Sequence, residues 1–222
     1  DKIVSDIYPY YQSALSYGLA GNKSRKVSVL SNIASNADPS LPLYSESLYE
    51  LGRTYVGMNR TDDARQIFQK LIDKAKDSDY STYSAKSRLE LGMIARNAGD
   101  NDSALSYYKR IISDMPDSEQ AEDALLAIES VYQGMNEPQK YYAYIESIGK
   151  DSNRSQSEKD QSLFNAAEQV YMSENYSKAA VSLQAYIDKY PVGESVPKAR
   201  YYIGECMRNL GQLEKACDSY NE

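Results

Sequence analysis

The stretch Arg88–Pro116, RLELGMIARNAGDNDSALSYYKRIISDMP, decides the fold. Leu89, Leu91, Met93, Ile94 and Ala95 fall mostly on one side of a helix, with Gly92 among them. A glycine inside a helix costs about 1 kcal/mol relative to alanine. What it offers is room, because a residue without a Cβ lets a neighbouring helix come close. Gly99-Asp100 supplies a turn: glycine accepts the left-handed conformation just past a helix end, and Asp100 or Asp102 is placed to cap the next helix. Ala104, Leu105, Tyr108, Ile111 and Ile112 then form a second helical stripe, which Pro116 ends. Two helices this short are unstable in isolation. The stretch therefore predicts an antiparallel pair that needs neighbours of its own kind.

Those neighbours recur along the chain. With Ala85 as position 1, Gly92 is position 8, and its equivalents are Ala14, Gly52, Glu129, Ala167 and Gly204, at steps of 38, 40, 37, 38 and 37 residues. Position 15, the turn, is Gly21, Asn59, Gly99, Asn136, Glu174 and Gly211; in the fifth repeat Asn175 follows directly and is a second candidate for the turn. Position 20 is Ala64, Ala104, Ala179 and Ala216 in four of the six repeats. Position 24 is Leu30, Phe68, Tyr108, Ile145, Leu183 and Tyr220, and position 27 is Ile33, Leu71, Ile111, Ile148 and Tyr186. Small residues at 8 and 20 let the helices of one repeat approach. Large ones at 24 and 27 are expected to fill the space between one repeat and the next. Six of the eleven glycines fall at position 8 or 15, which random scatter would rarely produce.

This spacing resembles the tetratricopeptide repeat, a helix-turn-helix of about 34 residues. Leu51-Gly52-Arg53-Thr54-Tyr55 matches that family's L-G-x-x-Y run, and Pro116 and Pro191 stand at its position 32. The likeness covers essentially the whole chain and implies an all-α superhelical solenoid of about six antiparallel helix pairs, residues 1–222. The longer steps imply longer loops between repeats, such as Lys74–Ser81. Glu129 and Tyr141 stand where repeat four should have small residues, so its helices should splay or shift, and Lys26 at position 20 makes repeat one the weakest match. Asp117 with Gln120, and Ser155 with Glu158, have capping-box spacing before repeats four and five. The polar stretch Ser152–Ser162 reads as a solvated loop running into a helix N-terminus, ahead of the alternative of a linker between two sub-domains. Asp1 in place of Met, and a sixth repeat that reaches only position 26 at Glu222, suggest a piece of a longer array.

In the tetratricopeptide family, positions 2, 5, 9 and 12 of the first helix line a groove that holds peptides. Carried over by position, the resemblance implies a partner-binding face with Tyr49, Arg53, Arg96, Tyr171, Tyr201 and Arg208 as its anchors. Tyr8, Tyr11, Lys86, Met93, Gln133, Phe164, Glu168, Lys198 and Glu205 occupy equivalent places. Tyrosine and arginine are the usual anchors of binding surfaces, though a tyrosine here can equally pack between repeats. The Lys/Asn clamp that some members use for a C-terminal carboxylate is not evident, so a chaperone tail is not the expected ligand. A second resemblance covers the last two repeats. Tyr176-Ser177-Lys178-Ala179, Tyr190-Pro191 and Ala199-Arg200-Tyr201-Tyr202-Ile203-Gly204 look like repeats of bacterial cell-envelope scaffolds, which implies a periplasmic setting.

Composition narrows the chemistry. Net charge is −7 and there is no His, which removes the commonest general base and metal ligand and argues against nucleic acid. Twenty-two Tyr, two Phe and no Trp leave tyrosine to supply the large aromatic packing. Cys206 and Cys217 have neither zinc nor redox spacing and read as half-buried structural thiols. No apolar run approaches the length of a membrane span. Phosphate-binding glycine loops and G-x-S-x-G are absent. Acidic pairs such as Asp62-Asp63 fit helix N-termini. The sequons at Asn22, Asn59, Asn101 and Asn175 lie at repeat turns, where asparagine is wanted anyway, and Asn153 lies elsewhere. The expectation is a non-enzymatic protein-interaction scaffold without metal or cofactor, gripping another protein or peptide. A glycan-binding surface protein, with tyrosines stacking on sugars, is the alternative, although such proteins interrupt their repeats with an insert that six even repeats leave no room for.

Overall fold

A computed structural model describes residues 6–74, 81–151 and 155–221. Among them are twelve α-helices and no strand. Repeat one holds α1 (Tyr8–Leu19) and α2 (Lys23–Asn36), repeat two α3 (Tyr44–Val56) and α4 (Thr61–Asp73), repeat three α5 (Ser81–Asn97) and α6 (Asn101–Asp114). Repeat four holds α7 (Glu119–Gly134) and α8 (Pro138–Ser147), repeat five α9 (Gln156–Met172) and α10 (Tyr176–Lys189), repeat six α11 (Val196–Asn209) and α12 (Leu213–Asn221). The expected loop after Lys74 and the sequon at Asn153 lie outside the described residues, as do Asp1 and Glu222. Contacts divide the chain into two compact bodies, 1–127 and 128–222.

In the first body each helix from α1 to α5 packs on its successor. Leu30, Ile33, Leu48, Leu51 and Leu71 bury completely around Tyr44, and Ala64, Phe68, Leu91 and Ile94 form the adjoining cluster. In the second body α9 to α12 pack in the same succession around Leu163, Phe164, Ala179, Leu183 and Tyr186.

All six turns obey one rule. Gly21, Asn59, Gly99, Asn136, Glu174 and Gly211 have φ between 57° and 81°. Glu174 takes this conformation itself. Asn175 does something else: its side chain accepts from the Lys178 amide and caps α10, as Asn22 caps α2 and Asp100 caps α6. The sequon asparagines at the described turns are thus accounted for by caps, by the left-handed residue Asn59, and by the first residue of α6. Ser155 and Glu158 form a full capping box. The other expected box is displaced by one residue, because α7 starts later: Ser118, not Asp117, accepts from the Ala121 amide at 3.1 Å.

The joint inside repeats two, three and six is tighter than position 8 alone foretold. A Cβ on Gly52 would lie 2.5 Å from the Phe68 ring; on Gly92 or Gly204 it would lie 2.3 Å from Tyr108 or Tyr220. Position 24 therefore seats its ring on position 8 of its own repeat, besides reaching toward the next one as Phe68 does with Leu91 and Ile94. Where position 8 is alanine, at Ala14 and Ala167, position 24 is the smaller Leu30 or Leu183.

The two irregular repeats find separate solutions. Lys26 lays its stem against Gly18, 3.2 Å from where a Cβ would stand, and its ammonium meets Glu50 of α3 at 2.8 Å. In repeat four Ile128 is buried in place of Glu129, whose carboxylate accepts from Gln133 at 3.2 Å. There α8 ends at Ser147, before a left-handed Gly149, so Ile148 at position 27 is exposed rather than packed. Of the two thiols only Cys206 is buried, which pushes its pKa up to about 11; Cys217 is exposed, contrary to the expectation of two half-buried thiols.

Candidate interaction face

The odd-numbered helices carry the expected binding residues, and the structure sorts them. Tyr11 and Phe164 are core residues. Tyr11 donates to Glu46 at 2.7 Å, and Phe164 packs against Tyr186 with ring centroids 5.4 Å apart. A positional rule places a side chain on a helix face, but it does not say whether the next helix covers it. Tyr8, Met93, Arg96, Gln133 and Tyr201 are exposed.

In the first body Tyr49 and Arg53 converge on Glu90 of α5. The Tyr49 hydroxyl donates to Glu90 Oε1 at 3.1 Å, and Arg53 Nε stands 3.4 Å from the same oxygen. The side chain of Arg53 is 58% exposed, that of Glu90 only 14%. The carboxylate lies underneath and the guanidinium on top. Burial, reinforced by Glu90, raises the Tyr49 hydroxyl well above its ordinary pKa. Lys86 extends over the rings of Tyr49 and Tyr83, 6.0 and 5.4 Å from their centroids. Arg96 sits exposed in the last turn of α5.

The same layering appears twice in the second body. Glu168 accepts from the Tyr202 hydroxyl at 2.9 Å and from Lys198 at 2.7 Å, and Glu205 accepts from Tyr220 and Arg208. Lys198 and Arg208 are more than half exposed, while both carboxylates are largely covered. Lys198 and then Tyr202 hold Glu168 below the usual carboxylate range; the Tyr220 hydroxyl and then Arg208 do so for Glu205. In return, its bond to Glu205 pushes Tyr220 up to about 12. The rings run in a series: Tyr176 to Tyr171 at 6.0 Å, Tyr171 stacked on Tyr202 at 4.3 Å, Tyr202 to Tyr201 at 5.9 Å, and Tyr201 to Tyr220 at 6.0 Å. Tyr171 is half-buried in this stack, whereas Tyr201 and Arg208 reach solvent.

Glu168 and Glu205, held below the usual carboxylate range, are the opposite of a general base poised near neutrality. Each module pairs its carboxylate with a cation and a tyrosine hydroxyl and leaves the cation more than half exposed. Sequence reading found the cations and rings but missed Glu90 and Tyr202, since nothing local marks a bond between residues 34 or 41 apart. Among the described residues no group of three or more His, Cys, Asp or Glu could hold a metal ion. No helix among them is long and apolar enough to cross a membrane.

Consecutive antiparallel helix pairs, each turned by one left-handed residue and all but the fourth closed on a small side chain, define a helical-repeat protein, a class whose members present helix faces to other macromolecules. The chain contains tetratricopeptide repeats: one tetratricopeptide repeat profile matches residues 49–124 and a second matches residues 198–222. A crystallised tetratricopeptide repeat protein from Parabacteroides merdae shares 14% identity and superposes with a TM-score of 0.53, covering 96% of this chain and 76% of that one. MamA from Desulfovibrio magneticus shares 12% identity at a TM-score of 0.45, covering 99% and 94%. These likenesses concern the fold. No curated protein matches the chain. Proteins of this family are generally non-enzymatic scaffolds. The glycan-binding alternative is not supported.

Proposed function

We propose that the protein is a non-enzymatic interaction scaffold that holds an extended peptide or a helix of a partner protein against the exposed face of its odd-numbered helices. Tyr49, Arg53 and Arg96 are the anchors in the first body, and Tyr171, Tyr201 and Arg208 in the second. The observation that supports this reading is the layering: exposed arginine, lysine and tyrosine lie over carboxylates that are covered and already neutralised. Such a surface offers rigid, amphipathic anchors at low cost in conformational freedom. A preformed helix face suits the helix-in-groove and extended modes of peptide capture. A periplasmic or cell-envelope setting, which the resemblance of residues 176–211 suggests, belongs to the same proposal; fractionation of the source cells tests it.

The experiment for the face is site-specific photo-crosslinking in the source cell. A crosslinking amino acid at Arg53, Arg96 or Tyr201 is expected to yield a discrete protein adduct. The same group at Val181, exposed on α10, should not. Equal adducts at all four positions, or none at the three, would overturn the proposal.

A further inference from the structure

We draw no further inference here: the strongest candidate, the pocket of about 280 Å³ in the second body where Gln133, Asn136 and Gln169 surround Pro138 and Val170 between the α7–α8 turn and α9, carries nothing because nothing in the structure shows what covers it.

Discussion

Glu174 is the residue at which position outweighs chemistry. It holds φ at 62°, where a side chain with a Cβ is strained, because the turn between α9 and α10 has the same geometry as the five turns that use Gly or Asn. Glu174→Gly relieves that strain while making the unfolded chain more flexible, and the relief outweighs the added flexibility. The substitution should stabilise the second body by about 1 kcal/mol, read as a higher urea midpoint with an unchanged m-value. Glu174 was legible from its register alone; its identity pointed to the neighbouring Asn175, which serves as the cap. Tyr11 shows the opposite case. Position 5 of a repeat marked it as a binding residue, but its ring is buried and its hydroxyl reaches Glu46, a partner 35 residues away.

At the scale of elements, ion pairs join helices distant in sequence. Lys178 of α10 meets Glu137 before α8, Lys189 of α10 meets Glu146 of α8, and Lys198 of α11 meets Glu168 of α9. Hydrogen bonds from these lysines lower all three carboxylates from their ordinary 4.5, with Lys140 the largest influence on Glu137. A carboxylate lower in the folded than in the unfolded state stabilises the fold fully above its unfolded pKa. That contribution is lost as pH falls through the folded value. Unfolding free energy measured in urea should therefore hold steady through neutrality and fall below about pH 4.5. Glu168→Gln should make the fall shallower by removing one titrating partner; a parallel curve would show that the pair contributes nothing. The bonds from Tyr49 to Glu90 and from Tyr202 to Glu168 had no sequence signature, since each joins two helices through residues 41 or 34 apart.

Across the whole chain one size rule is applied repeatedly. Gly52, Gly92 and Gly204 face Phe68, Tyr108 and Tyr220, whereas Ala14 and Ala167 go with Leu30 and Leu183. The positions were readable from periodicity; their pairing was not, because it depends on which ring lies over which backbone. If these repeats are one design, a joint used in one place should serve in another. The most direct measurement is a double-mutant cycle at Gly92 and Tyr108. Gly92→Ala alone drives a Cβ into the Tyr108 ring and should destabilise the protein by about 1–3 kcal/mol. Tyr108→Leu alone leaves a void and should also destabilise it. Together they recreate the joint of repeats one and five, so the pair should cost clearly less than the sum of the singles, with a coupling of about 1 kcal/mol or more. Additive losses would contradict a shared joint.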